Sequence, residues 1–399
     1  MKQFLAFFLT VCTIWTMVSC KDNLVYIDDA TDVNEEVSSA DKSWVPLSEY
    51  ATSDFYMQKV YEYGSKFVET KYAIVFVDTR DNTHLSYINK KNGDVRILCG
   101  DPLCKHTESE MCSAVCDVST ASSLVYSPDN GRLYFVRRNN IMASPQTRYS
   151  TIVSIDIDNM DFTVKQHYSL TPGNEIASMK YSGGKLYFSY IITEDDTEKL
   201  MLSSLSISDS TIENVCHFDY INTRYVVQNG IIYYYNTGDN ILYTYNTLTN
   251  TNITFVNTKS INKYFVSKEY LYYQTPDSIT RVRLSDQQNT TIFKSKEISS
   301  DFDCTTDSSG NIYFYGYTPE IVETSRGQMT NYSGGKIFRI SDGSEELYLE
   351  LDNSTFIKSV CAIQNIIFIE TYTYNANKKT ENTYYYVYDG TIHKLPDAE

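Results

Sequence analysis

The chain is predicted to be all-β, a single β-propeller most simply of seven blades, with six or eight also allowed because the first and last repeats are the most degenerate. Three observations predict it. An apolar and aromatic phrase followed by a second alternating strand recurs seven times between about residue 70 and the C-terminus. Polar, glycine-bearing turns punctuate the phrases. No Pro/Ser/Gly-rich linker or shift in composition divides the 399 residues into separate units.

The clearest copies are Gly131-Arg132-Leu133-Tyr134-Phe135, Gly184-Lys185-Leu186-Tyr187-Phe188, Gly230-Ile231-Ile232-Tyr233-Tyr234 and Gly310-Asn311-Ile312-Tyr313-Phe314. Weaker copies are Tyr72-Ala73-Ile74-Val75-Phe76, Glu269-Tyr270-Leu271-Tyr272-Tyr273 and Gln364-Asn365-Ile366-Ile367-Phe368, where the leading glycine is replaced. Their spacing of roughly 40 to 60 residues is that of four-stranded blades with loop insertions. A lone four-stranded sheet cannot cover both of its faces, so β-branched and aromatic side chains must pack against the next blade around the ring. The 36 tyrosines suit that task, the ring filling space between sheets while the hydroxyl reaches water or a backbone group. Asn229-Gly230 and Asp389-Gly390 supply the positive-φ positions of tight hairpins. Residues 44–66 are expected to supply a strand closing the ring against the last blade, in which residues 390–395 read as the outer strand.

The N-terminus is a different kind of sequence. Lys2, an apolar run over residues 4–18 too short to span a bilayer, and Ser19 before Cys20 make residues 1–19 a secretion signal. Met17-Val18-Ser19-Cys20 resembles a bacterial lipobox, which implies that Cys20 is diacylated and becomes the new N-terminus. Met stands there where Leu is usual. Residues 20–43 are then an acidic tether, and 44–399 the propeller. The expected location is the bacterial cell envelope outside the cytoplasm, held to a membrane by the N-terminal lipid alone, with the body monomeric. A formal charge of −16 without a basic patch argues against nucleic-acid binding and against attachment to lipid through basic residues.

One connection stands out. Cys99, Cys104, His106, Cys112 and Cys116 crowd the passage from the first blade to the second, a loop of about twenty residues on one rim, and loops of that length are functional or need a staple. In an exported protein the four cysteines most simply form two disulfides, with three pairings open. Alternatively, Cys99, Cys104, His106 and Cys112 make a C-x4-C-x-H-x5-C array whose thiolates and imidazole could close a tetrahedral zinc site, structural because four protein ligands leave no open position. Free thiol or redox chemistry is the third option. No cofactor other than that zinc is expected.

The phrase Leu98-Cys99-Gly100-Asp101-Pro102-Leu103-Cys104-Lys105-His106 with the later Cys112 resembles a hallmark loop of bacterial β-propeller lipoproteins from gut-dwelling species, a domain of unknown function. The tyrosine-rich repeats and the lipobox extend the resemblance over most of the chain. It implies fold and location, with no activity to carry over. Cys116 is an addition to that pattern, which favours disulfide pairing of an even set.

Elsewhere, Cys216, Cys304 and Cys361 are expected to be small core thiols. Asp156-Ile157-Asp158-Asn159-Met160-Asp161 has calcium-like spacing but lacks the glycine and distal glutamate of a helix-loop-helix site. No nucleophile elbow, zincin helix or phosphate-cradling glycine loop is present, and the five histidines are scattered. The sequence is therefore expected to be a binding or scaffolding module for an extracellular protein, peptide or glycan, with no catalytic residue to name. The alternative is an enzyme processing polysaccharide or peptide in the central funnel, through carboxylates that sequence cannot pair.

Overall fold

The computed structural model describes residues 44–48, 58–59 and 67–398, apart from segments at 81–82, 102, 107–111, 117–119, 121–122, 140–143, 259–260, 262, 268, 295–303, 325–326, 342–343 and 375–379. The expected signal segment, Cys20 and the tether lie outside the described residues.

Seven antiparallel sheets each take four consecutive strands in order. They are β2–β5 (68–97), β6–β9 (125–169), β10–β13 (176–218), β14–β17 (224–257), β18–β21 (263–294), β22–β25 (304–350) and β26–β29 (356–394). Every recurring phrase falls on the second strand of its blade, as Ala73–Asp78 (β3) and Arg132–Asn139 (β7) show. First strands of neighbouring blades touch from the first blade to the fifth and again between the sixth and seventh, so the first strands line the axis. The up-and-down order also fixes two faces. First-to-second and third-to-fourth turns share a lower face, while second-to-third turns and blade-to-blade connections share an upper one.

The phrase is apolar on both sides because each middle strand is covered on both sides. All six residues of β3 are buried, whereas the outer strand β9 (Asp161–Ser169) alternates exposed with partly covered positions. Alternation then divides one strand between two interfaces. Leu133 and Phe135 pack towards the first blade, and Tyr134 and Val136 towards the third. Tyr187, Tyr233, Tyr272 and Tyr313 repeat the position of Tyr134, each facing the blade that follows. The seven main apolar clusters accordingly correspond to the seven blade interfaces.

The ring closes differently from the expectation. The outer strand of the seventh blade is β29 (Thr391–Lys394), as read from the sequence, but that blade is complete from its own four strands. The only described strand from residues 44–66, β1 (Gln58–Lys59), pairs instead with β18 (Lys263–Ser267), the innermost strand of the fifth blade, through Gln58↔Val266 and Lys59↔Phe265. A strand on the free edge of an innermost strand lies in the axial passage. Residues 44–48 sit on the lower face at the junction of the first and seventh blades. There the Trp44 indole N–H donates to the Lys90 carbonyl at 3.1 Å, Leu47 N–H to the same carbonyl at 2.9 Å, and Ser48 Oγ to Gln364 Oε1 at 2.9 Å. Because β18 runs from the upper face to the lower and β1 is antiparallel to it, β1 points upward through the ring.

Candidate metal centre on the upper rim

The cysteine-rich connection leaves β5 (Val95–Ile97) at the upper face. Leu98, fully buried, extends the strand by one bond, its N–H donating to the Leu85 carbonyl at 2.9 Å. The chain then turns tightly. Asp101 Oδ1 accepts from Leu103 N–H at 2.9 Å and the Asp101 carbonyl from Cys104 N–H at 3.1 Å, the self-capping for which aspartate is favoured in turns. His106 has φ +52°, in the left-handed region where histidine is among the residues more often found.

The return arm is anchored in the body. Cys112, Ser113 and Ala114 are buried, and Ala114 accepts from Leu85 N–H at 2.9 Å while Val115 forms a bridge to His84 at the start of β4 (His84–Asn89). Ser113 Oγ donates to the Leu98 carbonyl, and the Arg137 guanidinium donates to the Cys112 carbonyl. Arg137, at the upper end of β7, had no sequence signal for this role. A basic residue closing a strand reads as a solvated end.

These constraints bring Cys99 Sγ, Cys104 Sγ, the His106 imidazole and Cys112 Sγ together, with all four ligand atoms within 4.8 Å of one another. Among the described residues no other group of three or more His, Cys, Asp or Glu side chains gathers in this way. Cys112 Sγ lies 3.7 Å from Cys99 Sγ and 3.6 Å from His106 Nδ1, and His106 N–H points to Cys104 Sγ at 3.4 Å. Cys116, the remaining member of the expected disulfide set, stays outside the group and packs against the apolar cluster between the first two blades.

The electrostatics of the group are those of a site short of positive charge. Burial pushes the Cys112 thiol up to about 12. The N–H of His106, directed at its sulfur, lowers Cys104. Burial and then the neighbouring His84 hold the His106 imidazole below its ordinary value, which favours the neutral ring that a metal ion accepts. The calcium-like aspartates do not converge. Asp158 accepts from Tyr126 OH on β6 (Val125–Ser127) at 2.9 Å, while Asp156 Oδ2 accepts from Asn159 at 3.0 Å and Asp161 Oδ1 from Thr163 N–H at 3.0 Å within their own turns, so the three carboxylates are engaged separately.

No family model and no curated protein sequence matches the chain. Solved structures do resemble it. The β-propeller domain of the trilobed protease from Pyrococcus furiosus superposes with a TM-score of 0.52 at 12% identity, over 84% of this chain and 96% of that one. An oligogalacturonate lyase in complex with manganese gives 0.53 at 10% identity, over 88% and 97%. Pyrococcus horikoshii acylaminoacyl peptidase gives 0.55 at 12% identity, and the match takes in 88% of this chain but about half of the peptidase, 54%. At these identities the likeness is one of fold, a propeller shared with peptidase and lyase structures.

Proposed function

We propose that the protein is a lipid-anchored, extracytoplasmic binding module that holds a protein, peptide or glycan on its upper face. The carrying observation is the asymmetry of the two faces together with the side from which the chain enters. Residues 44–48 lie on the lower face, so an anchor at Cys20 would hold that face towards the membrane and present the other outward. The outward face carries the elaboration. The hairpin of β23 (Ile312–Thr324) and β24 (Gly327–Ser341) uses strands of 13 and 15 residues where β3 and β4 use six each. The hairpin of β11 (Lys185–Glu194) and β12 (Thr197–Ser206) is also extended, at ten residues a strand. Exposed apolar side chains occur on both faces, Leu103 at 89% and Tyr220 at 47% on the upper rim and Leu248 at 88% in a lower turn, so the asymmetry rests on the long upper hairpins. Tight lower turns offer no comparable relief. With β1 on the inner edge of β18, part of the axial passage is taken by the protein's own chain, which favours recognition on the rim over chemistry in a funnel.

The test is a binding screen of the full chain against arrayed polysaccharides and peptides, repeated with Leu103→Arg on the upper face and Leu248→Arg on the lower, the latter an exposed turn residue at 88%. A ligand lost with the first variant and kept with the second supports the proposal. A ligand that responds only to the lower-face variant overturns the assignment of the face. Failure of Cys20→Ala to release the protein from membranes overturns the anchor.

A further inference from the structure

We propose that Cys99, Cys104, His106 and Cys112 bind one zinc ion in a closed tetrahedral site that folds the upper-rim loop. Tetrahedral zinc, with Zn–S about 2.3 Å and Zn–N about 2.0–2.1 Å, separates two thiolate ligands by about 3.8 Å and a thiolate from an imidazole nitrogen by about 3.6 Å. The separations found, 3.7 Å between Cys99 Sγ and Cys112 Sγ and 3.6 Å between Cys112 Sγ and His106 Nδ1, are those two edges. A disulfide requires sulfurs at about 2.05 Å, and two disulfides would need Cys116 as the fourth partner. Instead the fourth member of the group is a histidine.

The surroundings suit a metal better than four neutral groups. Cys112 is the buried ligand, and its thiolate is costly there without a cation. A divalent ion inverts that cost, because a coordinating thiol gives up its proton outright. Three thiols would lose one proton each on binding, leaving a centre of net charge −1. The N–H of His106 directed at Cys104 Sγ offsets charge on that sulfur, and the Arg137 guanidinium on the Cys112 carbonyl fixes the buried arm. Soft thiolate ligands with one imidazole, and no carboxylate, select zinc over magnesium or calcium. With every position held by protein, the ion would organise the loop and present Leu103 rather than act on a substrate.

The experiment is metal quantification by mass spectrometry on the full chain purified without oxygen, with thiols counted by alkylation after denaturation. The expected result is one zinc per chain with Cys99, Cys104 and Cys112 all alkylated, and one equivalent of cobalt taking up the intense visible spectrum of a tetrahedral thiolate site. His106→Ala should weaken metal binding at least about tenfold, and His106→Cys, which restores four ligands, should keep it. Cys116→Ser should keep one equivalent. Because His106→Cys carries a change at the same position, loss of metal through misfolding and loss through a missing ligand are told apart. A mass deficit of four hydrogens with no metal would establish two disulfides and overturn the site. So would reduced thiols that fail to hold zinc against a weak chelator.

Discussion

Tyr264 shows how single side chains join the blades. Its hydroxyl, at the inner strand of the fifth blade, donates to the Arg224 carbonyl at 2.5 Å and the Tyr233 carbonyl at 3.3 Å and accepts from Tyr235 N–H at 3.2 Å, all in the fourth blade. Tyr225 does the same one blade earlier, reaching the Ser178 and Tyr187 carbonyls at 3.1 and 3.3 Å. Both phenols are fully buried, and burial raises their ionisation well above the ordinary range. In the unfolded chain a phenol ionises near pH 10, so above that pH the unfolded state binds fewer protons than the native one. The stability these groups give is complete below about pH 10 and is lost as pH climbs further, at about 1.4 kcal/mol per pH unit for each phenol. Tyr264→Phe should therefore cost about 1–3 kcal/mol at neutral pH, by orphaning buried backbone groups, and also flatten the fall in denaturation midpoint between pH 9 and 11. A slope identical to that of the unmodified protein would show that the phenol is not held neutral in the native state. That tyrosines fill the blade interfaces was legible in the repeated phrase. Which carbonyl each hydroxyl finds was not, because the partner comes from another blade and depends on ring geometry.

At the scale of elements, the N-terminal segment is where sequence and structure diverge most. A strand of two residues carries no period, so nothing in residues 44–66 could indicate that β1 would meet the fifth blade rather than the seventh. The cysteine loop was legible in part: its spacing left two disulfides with Cys116, a zinc array with His106 and free thiols all open, and the structure adds that Cys99, Cys104, His106 and Cys112 gather while Cys116 packs apart from them. The lower-face dock of the N-terminal segment can be followed through Trp44, which packs edge-on to Tyr386 with centroids 5.2 Å apart. The chain has two tryptophans, and Trp15 lies in the expected signal segment, so a processed chain reports through Trp44 alone. Gly93, in the turn after β4, has φ +77°, and a Cβ there would fall 2.6 Å from the Trp44 ring. Gly93→Ala combines a left-handed penalty of about 1–2 kcal/mol with that collision. We expect it to push Trp44 into solvent and shift its emission to the red while the far-ultraviolet circular dichroism of the blades is kept. Unchanged emission would mean that the segment is not seated against the turn.

For the molecule as a whole, the decisive property is that among the described residues no strand crosses the junction of the seventh and first blades. Whether a propeller closes by a shared blade or leaves each blade to its own four strands depends on where the repeat begins, and degenerate first and last copies hide that in the sequence. Side chains hold the junction instead. Phe67 stacks on Phe76 at 5.1 Å and on Phe368 at 5.0 Å, and Tyr384 OH donates to the Val77 carbonyl at 3.2 Å. Arg80 completes the closure, binding the Asp78 carboxylate through Nε at 3.0 Å and the Leu395 and Pro396 carbonyls at 3.1 and 2.7 Å. Its partner Asp78 is 2% exposed, so removing the guanidinium strands a buried carboxylate, a loss of about 3–5 kcal/mol when one member of a buried pair goes. In a ring stabilised by neighbour contacts such a loss need not spread evenly. Arg80→Ala is therefore expected to speed hydrogen exchange in β3, β27 (Ile366–Tyr374) and β28 (Thr380–Tyr388) while the third to fifth blades keep their protection. Equal loss in all seven blades would instead show a ring that opens only as one cooperative unit, with the junction no weaker than the six interfaces crossed by the continuous chain.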